Sequence, residues 1–166
     1  INIAGNLNRF TEKVSDYDKH GNIIALQRYG KTASSSYGLI DDLSFGYTGN
    51  RMMSVNDAIA ATSVGQSFHF DDRGSKTDNE FTYDGNGNLV TDNNKNITHI
   101  QYNMLNLPER VQLSDSREAV YTYDAAGVKH KVAYYKDGVK EKDTEYCGNV
   151  IYENWMLDKV LTEDGY

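Results

Sequence analysis

Apolar and polar residues alternate with a period of two over short stretches of this chain, and turn-forming residues end each stretch after a few positions. The clearest instance is Phe81-Thr82-Tyr83-Asp84-Gly85-Asn86-Gly87-Asn88-Leu89-Val90. In an extended strand Phe81 and Tyr83 project from one face and Thr82 from the other. The Asp84 carboxylate can accept backbone N–H groups ahead of it and open a type I turn. Gly87, three residues on, can take the left-handed conformation that closes such a turn into a bulged hairpin. Leu89 and Val90 begin the return strand, so the stretch predicts two short strands and a tight turn.

The phrase recurs with variations. It returns at Tyr17-Asp18-Lys19-His20-Gly21-Asn22-Ile23, more loosely around Tyr47-Thr48-Gly49-Asn50, at Tyr102-Asn103-Met104-Leu105-Asn106-Leu107, at Tyr123-Asp124-Ala125-Ala126-Gly127-Val128, and at Tyr146-Cys147-Gly148-Asn149. From Tyr83 the tyrosines fall at 102, 123 and 146, a spacing that suits two strands and two turns and predicts units that cover one another's apolar faces. Further strands are expected at 22–29, 43–47, 52–55, 97–102, 110–113, 120–123, 129–135 and 139–142. A last pair is expected at 146–152 and 159–162 around a turn at Glu153-Asn154. A ragged strand over 1–10 against 11–17, a polar loop over 30–38, a loop from Val55 to Thr62 and a strand over 67–71 complete the expected order. Pro108 has no N–H to give a ladder and belongs at a strand start or edge. No strong amphipathic helix is present. The fold class is therefore all-β: tandem antiparallel hairpins in an elongated, twisted or curled sheet, one repeat region over 1–166, clearest over 81–166 and irregular over about 56–78.

These residues carry a family resemblance. Tyr-Asp-x-x-Gly at Tyr17, Tyr83 and Tyr123, with asparagine after the glycine at Asn22 and Asn88, resembles the YD repeats of Rhs proteins. The phrases Tyr102 to Pro108 and Tyr146 to Asn154 are similar to those of Bacteroidetes-type Rhs chains just before their core domain. Tyr47 lacks the following aspartate, and Tyr102 is followed by asparagine. The resemblance implies a secreted or cell-surface shell that surrounds a C-terminal, toxin-like polypeptide. The partners it implies are other repeats and that C-terminal domain of the same chain. The self-cleaving aspartate site of the family lies in its core domain, and no position here matches it.

Composition narrows the rest. The hydrophobic share of 39% predicts a modest core, and thirteen tyrosines supply much of its material, each with an apolar ring and a hydroxyl that stays hydrogen-bonded or wet. Fourteen glycines against one proline suit many turns and strands that keep their N–H groups. A net charge of −7 offers no basic footprint for nucleic acid or anionic lipid. No run of about 18 apolar residues predicts a membrane-spanning helix. The start at Ile1 and the end at Asp164-Gly165-Tyr166 read as those of an excised fragment, whose open strand edges predict strand-mediated self-association.

Candidate chemistry is weighed against turn chemistry. The run Asp84 to Asn88 has the alternating oxygens that open a calcium loop, but the sixth position is Leu89 and the twelfth Lys95, where that loop needs glycine and a bidentate glutamate. His20, His69, His99 and His130 show no zinc-ligand spacing, and Cys147 stands alone without an oxyanion motif and reads as a small buried thiol in its turn. The pairs Asp16 with Asp18, Asp41-Asp42 and Asp71-Asp72 read as turn-flanking aspartates rather than acid–base pairs. The expectation is a non-enzyme without cofactor or metal. Its key residues are structural: Tyr17, Asp18, Gly21, Asn22, Tyr83, Asp84, Gly87, Asn88, Tyr102, Tyr123, Asp124, Gly127, Tyr146, Gly148 and Asn149. The alternative expectation is an adhesion or carbohydrate-binding module that holds a glycan on exposed tyrosines.

Overall fold

The computed structural model describes residues 9–59, 68–73 and 78–166. Among them the chain is all-β, with thirteen antiparallel strands in two open sheets and no helix. It divides into two compact units, residues 1–82 and 83–166.

The first unit carries a four-stranded meander, β1 (Glu12–Tyr17), β2 (Ile23–Lys31), β3 (Tyr37–Thr48) and β4 (Arg51–Asp57), paired in chain order. Its period-two pattern places Leu43 of β3 opposite Asp57 and Phe45 opposite Val55, and Ile40, Leu43 and Val55 are buried. Gly49, at a φ of 62°, supplies the left-handed residue between Thr48 and Arg51.

The second sheet runs in strict sequence order through β5 (Phe81–Tyr83), β6 (Leu89–Asp92), β7 (Ile97–Tyr102), β8 (Pro108–Leu113), β9 (Arg117–Tyr123), β10 (Lys129–Lys136), β11 (Val139–Cys147), β12 (Val150–Glu153) and β13 (Met156–Val160). Pro108 opens β8, where its missing N–H leaves no ladder bond unmade. Register sets the two faces. Ile100, Val111, Ala119 and Tyr134 follow one another across four strands, and the neighbouring row runs Tyr121, Val132, Thr144 and Glu153. This face holds the apolar packing, with Ile100, Ala119 and Val132 buried. The opposite face carries charge: Arg110 grips Glu118 at 2.9 and 2.8 Å, and Lys131 reaches Asp143 at 2.9 Å and Glu145 at 2.7 Å.

Several expectations need correction. The expected polar loop over 30–38 shrinks to residues 32–36, because β2 runs on to Lys31 and β3 starts at Tyr37. β4 extends through Asp57, so the expected loop begins only at Ala58. Residues 68–73 form no strand despite their alternation: the Phe70 N–H goes to the Asp41 carboxylate rather than to a ladder, and Phe68 is exposed. Residues 146–152 are not one strand, because Gly148, at φ 63°, turns the chain between β11 and β12. Asn154 and Trp155, at φ 49° and 69°, then make the tight turn between β12 and β13. Cys147, at the end of β11, is exposed rather than buried. Asp41-Asp42 lies inside β3 and not beside a turn. The expected strand over 1–10 and the start of that over 67–71 fall largely outside the described residues.

Val132 is only 2% exposed at the centre of the apolar face, whereas Val139 is 68% exposed beside the Asp137-Gly138 turn. Val132→Ala should lower unfolding free energy by about 1–3 kcal/mol, and Val139→Ala by less than about 0.5 kcal/mol. Urea denaturation of both variants checks the contrast; equal losses would contradict the assignment of the faces.

Candidate functional site: aspartate-closed turns and tyrosine clamps

Among the described residues, one turn geometry is built four times from short sequence phrases. At Asp84, the carboxylate Oδ1 accepts the N–H groups of Asn86 (2.9 Å) and Asn88 (2.8 Å), and Oδ2 accepts the Asn88 side-chain amide (2.9 Å). The Gly87 N–H returns to the Asp84 carbonyl at 3.1 Å, with Gly87 at φ 88°. This is a type I turn with a glycine bulge, in which the side chain accepts donors that the tight backbone leaves over. Asp18 repeats it with His20, Asn22 and Gly21 at φ 87°. Asp124 repeats it with Ala126, Val128 and Gly127 at φ 84°.

The fourth case departs in composition but not in geometry. Asn103 Oδ1 accepts the N–H groups of Leu105 (2.9 Å) and Leu107 (3.1 Å), and Asn106 takes the left-handed position at φ 63°. An amide oxygen thus replaces the carboxylate, and asparagine, the non-glycine residue that best tolerates this conformation, replaces the glycine.

Neighbouring turns are tied together by asparagine side chains. Asn88 donates to Asn106 Oδ1 at 2.7 Å, and Asn106 donates back to Asn88 Oδ1 at 3.0 Å. In the first unit Asn22 reaches the Gly49 carbonyl and Asn50 Oδ1, both at 3.3 Å.

The tyrosine ahead of a turn clamps the preceding hairpin. Tyr102 Oη donates to the Leu89 carbonyl (2.8 Å), Tyr123 to Pro108 (3.1 Å) and Tyr47 to Ile23 (3.0 Å). Each acceptor is the residue immediately after the previous turn. Burial raises the hydroxyl pKa of all three above the ordinary tyrosine value, so each stays protonated and able to donate. Tyr146 is half-buried and receives the Lys129 ammonium over its ring at 5.0 Å, and Tyr121 and Tyr123 stack at 6.5 Å. Tyr83 is half-buried on β5, while Tyr17, on the edge strand β1, is largely exposed and does not pack a layer. Gly148 and Asn149 make a two-residue turn, with the Asn149 side chain donating to the Leu161 carbonyl at 3.1 Å.

The sequence phrases therefore located the turn residues, but the clamp's acceptors and the asparagine bridges join residues about 13 to 28 positions apart and carry no local signal. Reading by motif also missed a second kind of site. Asp41, Asp57 and His69, which come from β3, β4 and the segment after it, each bring one potential ligand atom within 4.8 Å of the others. Their spacing in sequence follows no ligand motif. No protein-family model matches this chain, and no curated protein matches it.

The turn aspartates are held below the ordinary carboxylate range. For Asp18 and Asp84 the main cause is the asparagine side chain at the turn's end, and for Asp124 it is the Val128 N–H, followed by His130. Because the folded pKa lies below the unfolded one, their contribution is complete above about pH 4 and is lost as pH falls through the folded value. Asp124→Asn, which keeps the oxygen that Asn103 shows to suffice, should fold and show a shallower loss of stability between pH 5 and pH 2, about those limits. Urea midpoints across that range decide it. Separately, Tyr102→Phe should cost about 0.5–1.5 kcal/mol, with no change in strand content by circular dichroism.

Proposed function

We propose that this chain is a structural, non-catalytic segment of an Rhs-type shell, in which successive hairpins form a wall around a C-terminal, toxin-like polypeptide of the same natural protein. What carries the reading is the recurrence of a turn closed by a side-chain oxygen and followed by a tyrosine clamp, at Asp18 with Tyr47, Asp84 with Tyr102 and Asn103 with Tyr123. A wall needs such a device, because each hairpin must be locked to the one before it without a second layer of structure. The resemblance of the Tyr-Asp-x-x-Gly phrases supplies the shell, the cargo and a secreted or cell-surface setting. Among the described residues there is no helix long and apolar enough to cross a membrane. The exposed outer strand β13, with Met156 and Leu157 uncovered, fits self-association of the isolated segment through strand pairing.

A second reading is carried by a cleft of about 430 Å³ lined by Leu113, Arg117, Glu118, Tyr134, Tyr135 and Glu141. Aromatic rings beside carboxylates and cationic groups suit a glycan, with the sugar face stacked on Tyr134. This makes the alternative an adhesion or carbohydrate-binding module.

Limited proteolysis of the complete natural polypeptide separates the two. The shell reading expects the region C-terminal to these hairpins to resist protease, and to become digestible when Tyr102 and Tyr123 are both changed to alanine. Equal digestion before and after would contradict it. Glycan-array binding that is abolished by Tyr134→Ala would favour the carbohydrate module instead.

A further inference from the structure

We propose that Asp41, Asp57 and His69 bind one borderline divalent cation of the zinc type, and that the ion fastens the segment 68–73 to strands β3 and β4. The strands create the first half of the site. Asp41 lies two residues before Leu43 and so shares its face, and Leu43 is paired with Asp57 across the ladder, which brings both carboxylates to the same side of the sheet. Both are withdrawn from water, Asp41 at 0% and Asp57 at 4% exposure. The segment after β4 then delivers His69, half-buried, and one ligand atom from each of the three lies within 4.8 Å of the other two. A tetrahedral ion with bonds of about 2.0–2.2 Å holds its ligands roughly 3.5 Å apart, so a contraction of about an ångström completes the arrangement.

The surroundings favour a cation. Asp41 is paired with Arg28 at 2.7 Å and accepts the Phe70 N–H, yet a carboxylate offers about four lone-pair sites, and these two donors leave capacity for an ion. Asp72 adds an acidic group at the margin, where its Oδ2 accepts the Asp57 N–H at 3.0 Å, while Asp57 Oδ1 accepts the Asp42 N–H at 2.9 Å. The other Asp72 oxygen, Oδ1, is buried and meets no hydrogen-bond donor. A buried carboxylate oxygen without a donor is a standing electrostatic cost that a cation relieves.

The histidine selects the kind of ion. His69 Nδ1 lies 2.7 Å from the Phe70 carbonyl. A carbonyl can only accept, so Nδ1 is the donor in this contact, and in the neutral ring that leaves Nε2 as the nitrogen able to bind an ion, the arrangement that a backbone carbonyl imposes on metal-bound imidazoles. An imidazole nitrogen beside two carboxylates suits zinc or cobalt over calcium or magnesium, which prefer oxygen alone.

The test uses the full chain, without an affinity tag and stripped by a chelator. Zinc chloride titrated by calorimetry should show one saturable site per chain and raise the thermal midpoint. His69→Gln should weaken zinc binding about tenfold or more, whereas His20→Gln, in the exposed Asp18 turn, should leave it unchanged. Cobalt(II) added to the unaltered chain should displace the imidazole resonances of His69 far more than those of His20, a readout that needs no variant to fold. Absence of saturable zinc binding, undiminished binding in His69→Gln, or cobalt acting on a different histidine would each overturn the proposal.

Discussion

The constraint on which this structure depends is the need to reverse a strand within five residues while leaving few backbone N–H groups without an acceptor. A type I turn with a left-handed bulge leaves two amide donors pointing into the bend, and one short side-chain oxygen can take both. At Asp18, Asp84, Asn103 and Asp124 the same oxygen position does this, with contacts of 2.8–3.1 Å. The return strand then leaves in a determined register. Because a slip of one residue would exchange the two faces of the sheet, register at these bends decides which side chains are buried.

Tyrosine solves the next problem, that of holding one hairpin to another in an open sheet. A ring spans the apolar face while its hydroxyl reaches the first carbonyl past the preceding turn, as Tyr102 does to Leu89 and Tyr123 to Pro108. A phenylalanine would bury similar area but leave that carbonyl to find another partner. The asparagines at the turn ends add a polar seam, seen in the reciprocal Asn88 and Asn106 amides. Turn, clamp and seam act on the same two hairpins, so each supports the geometry the others require.

The first unit adds a different device, in which buried carboxylates substitute for ladder partners. Glu80 accepts the Val55 N–H at 2.8 Å while its own N–H reaches the Met53 carbonyl at 2.7 Å, and Asp41 receives the Phe70 N–H. Irregular chain is thereby attached to β3 and β4 without forming a strand. Hydrogen bonds to charged acceptors are among the stronger ones, of order 1.5–3 kcal/mol, which explains how a segment with strand-like alternation over Phe68 to Phe70 ends in an irregular path.

What the sequence by itself determined was local: which residues alternate, where aspartate and glycine bend the chain, and that β7 spans Ile97–Tyr102 and Pro108 opens a strand. Those features arise from interactions within a few residues, and such interactions are written in order along the chain. Tertiary structure alone decided which carbonyl each tyrosine hydroxyl meets, that Tyr17 is left exposed on an edge, and that Asp41, Asp57 and His69 converge. These outcomes depend on strand register and on which N–H a buried carboxylate captures, and both are set by groups far apart in the chain competing for the same partners.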